Sequence, residues 1–158
     1  MFRRFSLIAI VAAAAVLAGC TKDDGTYLKV VGGGFIFNYR IAVATAGVLI
    51  VPMKPLPEGA IIEVTMDNPA GGLPIAMHEN PSSGSERMEY ETDPLQGIKA
   101  KTDYEVKVRL VTADGKELQL LSKTLQSELD QSMLPEKPLT IGPGYQKNPA
   151  LEEAPSQP

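Results

Sequence analysis

Apolar residues recur with period two through the middle of the chain, and turn-forming residues interrupt them about every 8–12 positions. Ile62, Val64 and Met66 alternate with Ile61, Glu63 and Thr65. Such alternation predicts a half-buried strand, because successive side chains of an extended backbone point to opposite faces. Leu73, Ile75 and Met77 form a second inward set, and Met88 and Tyr90 alternate with Arg87, Glu89 and Glu91. The clearest segment sets Tyr104, Val106, Val108 and Leu110 against Glu105, Lys107 and Arg109. Asp114-Gly115 then predicts a hairpin, with residues 116–125 returning alongside. Residues 46–53 are almost continuously apolar, which predicts a strand buried on both faces. With about seven short strands and no helical period, the expectation is all-β: a single antiparallel β-sandwich over residues 34–126.

Both ends depart from this pattern. After Arg3 and Arg4, residues 5–18 are apolar apart from Ser6. That run matches the core of a signal peptide and is shorter than the roughly 20 residues of a membrane-spanning helix. It closes on Leu17-Ala18-Gly19-Cys20, which resembles the lipobox of bacterial lipoproteins. The resemblance implies cleavage between Gly19 and Cys20, a diacylglyceryl group on the Cys20 sulfur, and usually another acyl chain on the new amino group. Several chains hold firmly where one is marginal, since each buried CH₂ contributes about 0.8 kcal/mol. Ser6 stands where a twin-arginine signal has an apolar residue, so general secretion is expected. Thr21, rather than Asp, follows the cysteine, which in this family implies the outer membrane, periplasmic face, rather than the inner membrane.

Residues 20–33 read as lipidated cysteine and tether. Gly32-Gly33-Gly34 reads as a hinge or bulge, since the strand-like Phe35-Ile36-Phe37-Asn38-Tyr39 follows instead of the helix a phosphate loop must open. Residues 127–158 form a Pro-rich tail whose proline density opposes both helix and strand pairing. Within it, residues 128–134 suit a short helical turn, residues 139–145 are apolar enough to dock, and residues 150–158 read as disordered.

The formal charge is −4; removing Arg3 and Arg4 from the 15 Lys+Arg leaves 13 against 19 Asp+Glu, a net of −6. An acidic module without a basic run lacks the footprint of a nucleic-acid binder. Anionic lipid would repel it, so acyl chains on Cys20, not charge, are expected to hold it to membrane lipid. Cys20 is the only cysteine, which excludes an internal disulfide.

The segment Ile98-Lys99-Ala100-Lys101-Thr102-Asp103-Tyr104-Glu105-Val106-Lys107-Val108 resembles the tyrosine corner of fibronectin type III and related immunoglobulin-like domains. Those domains carry an apolar residue six before the Tyr, here Ile98, and a Thr two before it. The resemblance implies that the Tyr104 ring packs into the sandwich while its hydroxyl satisfies a backbone group. The chain departs from these domains in having no Trp, and residues 35–40 add a strand before the expected first one. A sandwich of this kind implies no particular activity.

Candidate chemistry is sparse. His78 is the only histidine and falls on the phase opposite Leu73, Ile75 and Met77, beside Glu79. Glu79, Glu86, Glu89 and Glu91 are close in sequence, and a shared face for Glu89 and Glu91 is also what a solvated strand looks like. Met66, Met77, Met88 and His78 suggest a Cu(I) site of thioether and imidazole. The methionines, however, share the apolar phase, where Met fills cores. Phe35, Phe37 and Tyr39 make an aromatic stripe expected to face the core. The chain is therefore expected to be a non-enzymatic, membrane-anchored module that contacts another envelope protein, with neither cofactor nor small-molecule substrate identified. A small-ligand or copper binder, with His78 and Met77 as weak metal candidates, is the alternative, and an envelope enzyme the third.

Overall fold

A computed structural model describes residues 25–151. The expected leader, its cleavage site at Gly19 and Cys20, and residues 152–158 lie outside the described residues. No helix among the described residues is long and apolar enough to cross a membrane.

Seven strands build the fold: β1 (Leu28–Asn38), β2 (Val43–Pro52), β3 (Ile61–Met66), β4 (Ile75–Glu79), β5 (Met88–Glu91), β6 (Asp103–Val111) and β7 (Glu117–Gln126). All pair antiparallel, in the order β1-β2-β5-β4-β3-β6-β7. Strand β4 changes layers: Ile75–Met77 pairs with β3, whereas His78 and Glu79 pair with β5. The result is an antiparallel β-sandwich, with β1, β2 and β5 on one side and β3, β6 and β7 on the other.

Period two accounts for the core. Ala44, Ala46, Val48 and Ile50 of β2 are fully buried with Val106, Val108 and Leu110 of β6, and Val64, Met66, Met77, Met88, Tyr90 and Leu125 join them. Each large aliphatic side chain so buried contributes about 1.5–3 kcal/mol. The aromatic stripe faces the core only in part: Phe35 and Phe37 pack against this cluster, whereas Tyr39, expected there with them, is exposed because β1 ends at Asn38 and Tyr39 falls in the turn. Tyr104 has the geometry of a tyrosine corner. Its ring is buried, it meets Phe35 edge-on at 5.4 Å, and the Lys99 N–H donates to its Oη at 2.9 Å. Ile98 is buried in the core.

Four further expectations need correction. The fold begins at Leu28, not Gly34, because β1 runs through the triple glycine with a bulge between Val30 and Gly32. A Cβ on Gly33 would lie 2.8 Å from Gly47 O, 2.9 Å from Val48 Cγ1 and 3.1 Å from Leu125 Cδ2. Close approach between β1, β2 and β7 requires glycine there. Leu73 is 85% exposed in the loop before β4, where Gly71 and Gly72 hold positive φ and Pro74 follows. Strand β2 buries one face only; the outward Val43, Leu49 and Val51 are half-buried and Met53 lies beyond its end. Lastly, the proline-rich segment does pair: β8 (Thr140–Ile141) and β9 (Gln146–Lys147) form a small hairpin after a 3₁₀ turn at Gln131–Met133. Pro138, Pro143 and Pro149 stand outside the paired positions, so no ladder donor is lost. A second 3₁₀ turn, Pro149–Leu151, follows.

Candidate functional site

Antiparallel pairing sorts the loops into two poles. Leu28 pairs with Pro52, Ile50 with Met88, and Ile61 with Val111. The N-terminal pole therefore gathers the entering chain, the β2–β3 loop, the β4–β5 loop and the β6–β7 hairpin. The opposite, distal pole gathers the β1–β2 turn, the β3–β4 loop and the segment after β7.

At the distal pole two turns lock together. In the β1–β2 turn the Arg40 N–H donates to Asn38 Oδ1 at 3.2 Å, and Ala42 takes a φ of 55°. The β8–β9 hairpin is closed by the buried Asn148, whose N–H donates to Leu139 O at 3.0 Å and whose Nδ2 donates to Pro138 O at 2.8 Å. The Thr140 N–H donates to Arg40 O at 3.0 Å, and the Arg40 guanidinium lies 5.9 Å from the centre of the Tyr145 ring. Tyr39, Ile41, Leu139, Ile141 and Tyr145 are each 38–56% exposed around that junction. Tyr145 also holds a φ of 50°, a left-handed conformation costly for an aromatic residue. Residues 138–148 contain no Asp or Glu and one cation, Lys147. Tyr and Arg exposed among aliphatic side chains is the composition of protein-binding surfaces.

A cleft of about 470 Å³ opens at the N-terminal pole. Pro52, Met53, Pro55, Leu56 and Met88 line it, with Lys54, Glu79 and Ser85 supplying the polar groups. The loop is fixed to the entering chain: the Met53 N–H donates to Tyr27 O at 2.7 Å, and Lys54 Nζ lies 3.9 Å from the centre of the Tyr27 ring. Gln119 anchors the same strand end, accepting from the N–H groups of Tyr27 and Leu28 at 2.8 Å each and donating to Leu28 O at 2.9 Å.

The fold separates the methionine candidates from the histidine, but it brings His78, Glu79 and Glu91 to one pocket of about 340 Å³, where His78 and Glu91 are cross-strand partners and Asp93 joins them. His78 is exposed, its Nε2 3.8 Å from the exposed Asp93 carboxylate. Met66, Met77 and Met88 lie in the core, Met77 on the face opposite its neighbour His78. Among the described residues no three His, Cys, Asp or Glu side chains are placed to hold a metal ion. Glu91 accepts from the Thr45 hydroxyl at 2.7 Å on the outer face of β5. Near this region, among the described residues, the Tyr90 pKa is pushed up to about 12 by burial, then by the charge and proximity of Glu79 Oε2 at 3.5 Å. That shift keeps the phenol neutral and supplies no base. On β6, Arg109 bridges Glu63 and Glu117 and is raised by the hydrogen bond to Glu117 first and the charge of Glu63 second, while Glu105 is lowered by the Ser122 hydroxyl and then Lys107. These are solvated ladders across neighbouring strands.

Sequence reasoning missed the Arg40–Tyr145 junction and the cleft. The sequence signals were weak: Arg40 set between the apolar Tyr39 and Ile41, and the proline-rich loop at residues 52–57. Pairing them with partners about a hundred and about twenty-five residues away needed the three-dimensional fold. Compared with family models the chain matches none, and no curated protein is significantly similar to it.

Proposed function

We propose that this chain is a non-enzymatic adaptor, tethered by acylated Cys20 to the periplasmic face of the outer membrane, that binds another envelope protein with its distal pole. The observation that carries this reading is the opposition of the two ends. The chain enters the sandwich at one pole, and the exposed Tyr39, Arg40, Ile41 and Tyr145 stand at the other. A tether at one end presents the other end to partners, and Tyr and Arg dominate binding energy at protein interfaces. The carboxylates of β5 and β6 lie on solvated faces, which supports binding over catalysis.

Photocrosslinking on intact cells tests this. A photoreactive residue replaces Tyr39 or Tyr145, with exposed Lys123 of β7 as control, and adducts are identified by mass spectrometry. The same partner from both distal positions, not from position 123, and its loss when Arg40→Glu is added, is the expected result. Adducts indifferent to position, or none across growth conditions, would overturn the reading.

A further inference from the structure

We infer that the N-terminal pole is a membrane-contacting surface, with the β2–β3 loop seated in the interface of the bilayer that carries the anchor. This rests on the reading of Cys20 as lipidated. Five peptide units separate Cys20 from Gly25, and an extended chain covers at most about 18 Å over that length. The apolar loop cannot be far from the lipid, because Met53 is hydrogen-bonded to Tyr27, two residues inside the described chain.

The loop is built for a low-polarity surface. Met53 is 55% exposed and Pro55 is exposed beside it, while the half-buried Pro52 and Leu56 and the buried Met88 line the floor of the apolar cleft. Prolines at 52, 55 and 57 remove three backbone N–H groups that would otherwise need partners away from water. Tyr27 and the Lys54 ammonium stacked on its face form an aromatic–cation pair of the kind found at bilayer interfaces. Glu58, Glu79, Glu86 and Asp114 stand at the same pole with Lys54, Arg87 and Lys116, a mixed charge without a basic cluster that suits zwitterionic rather than anionic headgroups.

The chain has no Trp, so Met53→Trp gives a single fluorescent reporter at the loop and Leu73→Trp a control at the distal pole. Each acylated protein is reconstituted into phosphatidylethanolamine–phosphatidylcholine vesicles with brominated acyl chains. Blue-shifted emission quenched by bromine at position 53, and neither change at position 73, is the expected result. Unquenched emission at both positions, with acyl chains on Cys20 verified by mass analysis, overturns the contact and leaves the anchor standing. A blue shift without quenching means that protein or a small apolar ligand covers the cleft, and overturns it too. If Cys20 carries no acyl chain, the underlying reading fails; the unacylated variants added to the same vesicles then decide, with quenching at position 53 alone supporting the contact and none overturning it.

Discussion

Gly33 and Gly34 are neighbours in one strand with opposite demands. A methyl group on Gly33 would press on backbone and on two core side chains, whereas nothing lies within 4 Å of where a Cβ on Gly34 would sit. Gly33→Ala should therefore cost about 1–3 kcal/mol through overpacking. Gly34→Ala should be neutral or stabilise by about 0.4–1 kcal/mol by restricting the unfolded chain. Urea denaturation of the two variants checks the difference. Tyr104→Phe removes only the acceptor for the Lys99 N–H, a loss of about 0.5–1.5 kcal/mol in the same assay. Tyr90 gives a pH signature. Its folded pKa of about 12 lies above the ordinary value of 10.0, so the fold favours the neutral phenol. That contribution is complete below about pH 10 and is lost as the pH rises toward 12. Stability measured from pH 9 to 12 should fall less steeply in Tyr90→Phe.

At the scale of elements, the end of β1 is held by a side chain in place of a strand. Gln119 of β7 makes three hydrogen bonds with the backbone of Tyr27 and Leu28, which tie the two outer strands of the sheet order together. Gln119→Ala should cost about 1–3 kcal/mol. Amide exchange should accelerate at Tyr27 and Leu28 and leave the central amides of β2 unchanged. None of this was readable beforehand, because a lone Gln in a strand carries no sign of which distant backbone it will meet. Strands β3, β5 and β6 were readable because each has one wet and one dry face. The dry-side residues Val64, Met66, Met88, Tyr90, Val106 and Val108 are all buried. The triple glycine hid a strand because glycine has no side chain to show a period. The β8–β9 hairpin was hidden because two-residue strands are too short to alternate. Of the distal surface, only the apolar content of residues 139–145 was visible; the period that places Phe35 and Phe37 in the core placed Tyr39 there too, and the junction at Arg40 depends on the fold.

At the scale of the whole molecule, the two poles differ in composition, and with the proposed lipid tether at one of them the molecule would be directional. The distal surface and the proposed lipid contact lie on different loops, so they should respond separately to mutation. Arg40→Glu with Tyr145→Ala should abolish capture of the distal partner without moving the unfolding midpoint by more than the small shift usual for exposed sites. Cys20→Ser should release the protein from the membrane fraction with the fold intact, since the sandwich core begins at Leu28. Tether length then separates anchoring from orientation. Inserting about ten Gly/Ser residues between Thr21 and Gly25 triples the chain between anchor and fold, and effective concentration falls roughly as the −3/2 power of length, about fivefold. Acylation and membrane fractionation should persist. Bromine quenching at Met53→Trp should weaken if the loop seats in the bilayer because the tether holds it there. Quenching that survives the longer tether would mean that the loop's own affinity for lipid suffices, and the prolines of the β2–β3 loop, rather than the spacing to Cys20, would then set the orientation.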